Sequence, residues 1–357
     1  QEVLYLESGF ADRAKQKEIK RDTIFRLFSL TKPVTAAAVM LLFQRGALDL
    51  ADPVSKYIPG FADQKVSVPG GLEPVWHQVT IYHLLSMTVG LTYGGNSSAT
   101  VYAIGNELEE QMVRMNTDHP MTTMELADRI GRCPLEFQPG ARWKYGVSAD
   151  ILAAVVEKVS GMKYSEFLQK EIFEPLGMKD TGFYVPKEKL DRLAEAYEET
   201  KEGIKEFRED SLGIHMAMDV PPAYEAGGAG LVSTIDDYSR FAAMLLNQGT
   251  FNGKQILFPE TVKYMTTRRL FPEQQEWFDK WWEMNGFSYG NLMRVMTDPW
   301  KAPFAAREGE YGWDGWLGCY FANLPKENMT ILMMMQKKDA GTFELTRRLR
   351  NVMLLDL

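Results

Sequence analysis

The chain reads as an α+β protein: a central antiparallel sheet flanked by helices and formed from both chain ends, with a large, mostly helical insertion between them. Three observations predict this. Strand-like patterns occur near both termini. Residues 51–225 carry helical patterns separated by loops rich in Pro and Gly. The stretch from Ser29 to Arg45 is apolar nearly all round, which places that helix in the interior.

Taken in order, residues 1–28 predict two short strands, Val3–Glu7 and Thr23–Phe28, around a charged turn. The helix from Ser29 has Pro33 near its start, where a missing N–H costs least, and Gly46 at its end. Further helices are expected around Ile81–Leu85, over Met121–Arg132, and over Ala149–Ser160 with Gly161 as its stop. After Gly227-Gly-Ala-Gly230 an amphipathic helix, Thr234–Asn247, opens on Asp236 and Asp237, acids that complement the helix dipole. The tail alternates strand patterns (Gly290–Met296, Cys319–Leu324, Met329–Gln336) with turns at Gly315, Pro325 and Lys326. It ends in a helix, Phe343–Leu354. No internal repeat interrupts this order. Residues 1–52 and 226–357 are thus expected to form a discontinuous sheet domain and 53–225 a mostly helical one, with a cleft between them.

The totals exclude several classes. At 357 residues, 45% hydrophobic and 25% charged, the chain has an ordinary globular composition. A net charge of −8, with no Lys/Arg run, argues against nucleic acid and against an anionic membrane surface. No uncharged apolar run of about 18 residues predicts a membrane span. Cys133 and Cys319 are too few for a disulfide framework or a structural zinc, and fit a reducing, cytoplasmic compartment.

The chemistry centres on Ser29-Leu-Thr-Lys32. Residues i and i+3 of a helix share a face, about 5–6 Å apart at Cβ. A first-turn serine points its oxygen toward the positive end of the helix dipole. A lysine beside it on a dry helix loses hydration, which disfavours its charged form. A neutral amine can take the hydroxyl proton. The pattern should arise by chance on the order of once in a chain this long, and Ser160-Gly-Met-Lys163 repeats it; that copy crosses a glycine at a helix end and reads as a terminus. Gly286-Phe-Ser-Tyr-Gly290 matches a nucleophile elbow but precedes a strand pattern. All four histidines (His77, His83, His119 and His215) lie upstream, whereas an elbow serine needs one downstream.

Five segments in order resemble the serine β-lactamase-like superfamily, specifically its class C β-lactamase and family VIII carboxylesterase branch. They are Phe25-Arg-Leu-Phe-Ser-Leu-Thr-Lys32, Val79-Thr-Ile-Tyr-His-Leu-Leu-Ser-Met-Thr-Val-Gly-Leu91, Gln138-Pro-Gly-Ala-Arg-Trp-Lys-Tyr145, Gly227-Gly-Ala-Gly-Leu-Val-Ser-Thr-Ile-Asp-Asp237 and Glu310-Tyr-Gly-Trp-Asp-Gly-Trp-Leu-Gly318. The resemblance implies a β-lactamase/transpeptidase-like fold with Ser29 as acylated nucleophile, Lys32 as its proton partner and Tyr145 as proton shuttle. It implies an oxyanion hole from the backbone N–H groups of Ser29 and Trp316, and a third motif at Trp313-Asp314-Gly315. No metal or organic cofactor is implied. Taken alone, Tyr145, Trp313 and Trp316 would read as packing residues.

The departures bear on substrate. Trp313 stands where lactamases carry a lysine that holds a substrate carboxylate. Asp314, if it faces the cleft, repels anionic β-lactams. Val147 replaces the Asn of the tyrosine motif, removing an amide that binds acylamino groups. Met87 stands where the family usually has a histidine, and is taken as structural. Trp277, Trp281 and Met284 repeat at helical spacing and are expected to dock a helix on the core, or to wall an acyl pocket. The expected activity is hydrolysis of a small neutral ester. The alternatives are a D-amino-acid peptidase or amidase with Asp314 holding an ammonium, a weak β-lactamase, acyl transfer to an alcohol, and a silent ligand-binding homologue.

Overall fold

The computed structural model describes residues 2–95, 97–280, 284–341 and 344–355. Five strands form one antiparallel meander, in the spatial order β1 (Phe287–Tyr289), β2 (Arg294–Met296), β3 (Tyr311–Asp314), β4 (Tyr320–Leu324) and β5 (Met329–Met333). Each strand pairs with its sequence neighbour, as short connections require of antiparallel pairs. The α+β class is the one expected, but the ladder is wholly C-terminal. Val3–Glu7 forms no strand, while Phe10–Asp12 pairs with Lys17–Glu18 and Phe25–Arg26 with Val232–Ser233 in separate ribbons. Side-chain alternation signals a strand-like surface; it does not supply a partner for the backbone.

The segment expected as one strand over Gly290–Met296 supplies instead the turn and β2 of the β1–β2 hairpin, closed by the Gly290 N–H on the Met293 carbonyl at 2.8 Å. Ser288 lies mid-strand in β1, opposite Val295 and 1% exposed, so it presents no nucleophile. Registers place Trp313 opposite Phe321 and Asp314 opposite Tyr320. Adjacent strand residues point to opposite faces, so Trp313 and Asp314 serve different sides of the sheet.

The inner face packs on α1 (Lys32–Gln44) and on α3 (Ile235–Leu246), with α2 (Ser148–Ser160) behind α1. Phe321 meets Tyr238 of α3 edge-on at 5.6 Å, and Asn323 donates to the Ala242 carbonyl at 2.9 Å. Every residue from Lys32 to Leu42 is buried, as the apolar circumference of this stretch predicts. The helix differs from expectation at its start. Phe28–Thr31 is a 3-10 turn, and the α-helix proper begins at Lys32 with Pro33 in its first turn. The outer face is covered by α5 (Glu344–Leu355), whose Arg350 pairs with Glu310 at 2.6 Å; Phe343 lies outside the described residues.

Helix α4 (Pro272–Phe278) corrects the docking expectation. Phe278 and Met284 are buried, whereas Trp277 is 38% exposed on the outer side, between Arg142 and Lys280 at 4.3 and 4.5 Å from its ring. Trp281 lies outside the described residues. The heptad-like spacing survives only in part because α4 stops at Phe278, before a third turn can form.

Helix α3 starts where the sequence places it, with the Thr234 hydroxyl accepting the Asp237 N–H at 3.2 Å. Thr234→Ala is expected to lower unfolding free energy by about 1 kcal/mol, read as a lower midpoint in urea denaturation with an unchanged slope.

Candidate active site

The turn that carries Ser29 is built by strain and close approach. Phe28 adopts φ +47°, a left-handed backbone that costs a bulky residue about 1–3 kcal/mol. Its ring is buried and packs edge-on against Trp316 with centroids 5.3 Å apart. This bend turns the chain from the Phe25–Arg26 strand directly into the 3-10 turn. In 3-10 geometry residues i and i+3 eclipse, so Lys32 stands over Ser29 and donates its N–H to the Ser29 carbonyl.

Lys32 is 0% exposed, yet its Nζ has three partners: Ser29 Oγ at 3.1 Å, Tyr93 Oη at 3.0 Å and the Gly228 carbonyl at 2.8 Å. Ser29 itself is half-buried and reachable. A fully buried ammonium is tolerated only with its donors satisfied, and three acceptors match its three protons. Tyr145, also half-buried, meets Lys32 through its ring, with Nζ 4.7 Å from the centroid. Its phenol oxygen accepts Trp313 Nε1–H at 3.2 Å, and the two rings lie 5.6 Å apart. Strand β3 therefore delivers Trp313 to the tyrosine from the sheet side.

Gly315 explains how the strand comes this close. Its N–H donates to the Cys319 carbonyl at 2.7 Å, and a Cβ there would lie 2.2 Å from the Leu27 carbonyl. Only a glycine lets the end of β3 lie against the turn that carries Ser29. Just beyond it, Trp316 N–H makes no backbone hydrogen bond among the described residues. Ser29 N–H lies in the first turn of a helix, where amides lack helical partners.

Two expected substrate residues are corrected. Asp314 does not face the cleft: it is buried on the other face of the sheet, with Oδ1 2.8 Å from Arg294 Nη1, off the hydrogen-bonding direction. Burial pushes its carboxyl up, against the opposing pull of Arg294. The reason is strand alternation, since its neighbour Trp313 takes the cleft side. Val147 is 1% exposed in the core at the start of α2 and offers no accessible surface. Met87 is structural, as expected: it is buried with φ +55°, and its carbonyl accepts the N–H of Lys144, next to Tyr145.

Sequence reasoning missed Tyr93, whose phenol burial pushes well above its ordinary value, and the carbonyl of Gly228. It also missed the aromatic wall: Trp143 lies 6.3 Å from Tyr145, 4.8 Å from Phe278 and 5.4 Å from Tyr289. Tyr93 follows the Val79–Leu91 segment by two residues, so its position was the available signal. The second Ser-x-x-Lys is a helix end, as read: Gly161 caps α2 in the left-handed conformation, and Lys163 is exposed. His83 caps its own helix through Thr80 N–H at 3.2 Å, and burial pushes its imidazole down to about 4. Burial pushes both cysteine thiols up to about 12. Among the described residues no group of three or more His, Cys, Asp or Glu is placed to hold a metal ion, and no helix is long and apolar enough to cross a membrane.

A serine and a dry lysine one 3-10 turn apart, with a sheet strand closing on them, place the molecule in the class of serine β-lactamase-like and penicillin-binding-protein-like folds. The chain belongs to the Beta-lactamase family, whose model matches residues 1–353. Esterase EstB of Burkholderia gladioli is 31% identical over 335 residues, covering 89% of this chain and 78% of that protein. A putative D-alanyl-D-alanine carboxypeptidase of Escherichia coli is 28% identical over 335 residues, covering 88% and 69%. Among solved structures, EstCE1, described as a hydrolase with promiscuous acyltransferase activity, superposes with a TM-score of 0.79 at 25% identity, over 96% of this chain and 88% of that one.

Gly315→Ala is expected to destabilise the protein by about 2 kcal/mol, because the methyl must displace either Leu27 or β3. Thermal denaturation checks the loss.

Proposed function

We propose that this chain is a serine hydrolase that cleaves small neutral carboxylic esters through an acyl-enzyme on Ser29. One observation carries it: the fully buried Lys32 Nζ lies 3.1 Å from the Ser29 hydroxyl. Lys32, as the free amine, takes the Oγ proton while Oγ attacks the ester carbonyl. The tetrahedral oxyanion is received by the N–H groups of Ser29 and Trp316, each such donor typically contributing about 3 kcal/mol to transition-state stability. On collapse the C–O bond to the alkoxide breaks, and the proton passes from Lys32 through Tyr145 to the leaving oxygen. Water then attacks the acyl-enzyme by the reverse proton path, releasing the acid and restoring Ser29.

The preference for a neutral ester is supported by Trp313, an uncharged ring where a lactamase-like site carries a lysine. The charge of Asp314 plays no part, since it is spent on Arg294. For the same reason the peptidase alternative loses the carboxylate that was to hold a substrate ammonium. Acyl transfer to an alcohol is the second reading. The buried rings of Trp143 and Trp313 back the half-buried Tyr145 with apolar surface, and EstCE1 is described as a hydrolase with promiscuous acyltransferase activity.

Ser29→Ala is expected to abolish release of p-nitrophenol from p-nitrophenyl butyrate, and Lys32→Ala and Tyr145→Phe to cost on the order of 10³-fold each in kcat/KM. Undiminished turnover by Ser29→Ala would end the proposal. Tyr93→Phe removes one of three Lys32 partners and is expected to cost about tenfold. Intact mass spectrometry after a fluorophosphonate or activated ester, with peptide mapping, should place the adduct on Ser29. Added alcohol that diverts product from acid to ester would support the transfer reading.

A further inference from the structure

The neutral partners of Lys32 leave a question: which negative charge balances its ammonium away from water? Ser29 Oγ, Tyr93 Oη and the Gly228 carbonyl are all uncharged acceptors. The carboxylate of this network is Asp150, 5% exposed in the first turn of α2, five residues beyond Tyr145. An acid in a first turn ordinarily just complements the helix dipole. Asp150 does more. Its Oδ1 accepts the Gly228 N–H at 2.9 Å and the Tyr224 phenol at 2.8 Å. The carbonyl of the same glycine accepts Lys32 Nζ at 2.8 Å. Residue 228 is therefore held by its N–H on one side and its C=O on the other. A Cβ there would lie 2.6 Å from Asp150 Oδ2, so only glycine fits between the two charged groups.

We infer that Asp150 is a positioning residue, which aims the Gly228 carbonyl at Lys32 and sets a buried carboxyl one residue away from the lysine's nitrogen. The inference rests on the Ser29/Lys32 reading for its catalytic meaning and on geometry alone for the pairing. The other ionisable groups around the network are the phenols of Tyr93, Tyr145, Tyr224 and Tyr289, with Tyr164, Glu157 and Glu225 beyond Asp150. Burial pushes the Asp150 carboxyl up, and the charge of Lys32 is the largest influence drawing it back.

The test compares wild type, Asp150→Asn and Lys32→Met. Asp150→Asn keeps an acceptor oxygen for Gly228 and Tyr224 and removes only the charge. Loss of that carboxyl's charge should move the acid limb of the kcat/KM profile for p-nitrophenyl butyrate to lower pH and drop its plateau about tenfold. Reciprocally, Lys32→Met should raise the Asp150 Cγ titration midpoint, read by carbon-13 NMR, because coupling between two sites is mutual. This arm needs no activity and stands even if Asp150→Asn does not fold. An acid limb unmoved in Asp150→Asn together with an Asp150 midpoint unmoved in Lys32→Met would overturn the inference, leaving Asp150 a local fold contact. A wild type that shows the coupling but neither labels at Ser29 nor turns over would instead overturn the ester reading and keep the pairing.

Discussion

A lysine side chain with no exposure to water is the constraint around which this molecule is arranged. Burying that nitrogen is expensive unless each proton finds an acceptor. Its acceptors come from places far apart in the sequence: residue 29 in the preceding turn, residue 93 in a loop, and residue 228 in the glycine-rich segment before α3. Tyr145 adds a ring face. Much of the tertiary structure can be understood as what brings these four segments to one point.

Two backbone features do the bringing. The left-handed Phe28 turns a strand end into a 3-10 turn, whose three-residue repeat stacks lysine over serine more directly than an α-helix does. Gly315 removes the methyl that would hold β3 away from that turn. The cost of the strained phenylalanine is offset by its ring packing against Trp316. Strain, packing and the proposed oxyanion site thus share one contact.

The sheet divides its labour by face. On the inner face Trp313 reaches Tyr145, while on the outer face Arg294–Asp314 and Arg350–Glu310 form ion pairs buried under α5. Pairs of this kind contribute little net stability but are costly to break, so they lock β2, β3 and α5 in register. The acidic residue that follows Trp313 is therefore held on the outer face, away from Lys32 and Tyr145.

The sequence by itself determined the α+β class, the buried helix and its stop at Gly46, the Thr234 helix start, and the candidacy of Ser29, Lys32 and Tyr145. These are local matters of periodicity, capping and spacing, and the ordered motifs carried the rest. Only the tertiary structure decided that Asp314 turns away while Trp313 turns in, that Trp277 faces out, and that the N-terminal strands stand apart from the main ladder. It also decided that Tyr93, Gly228 and Asp150 complete the lysine's surroundings. Those outcomes depend on which face of an element meets which neighbour, and on contacts between distant residues such as Lys32 and Gly228, 196 positions apart. A one-dimensional pattern fixes how side chains alternate, but the direction in which the alternation points is set by packing partners elsewhere in the chain.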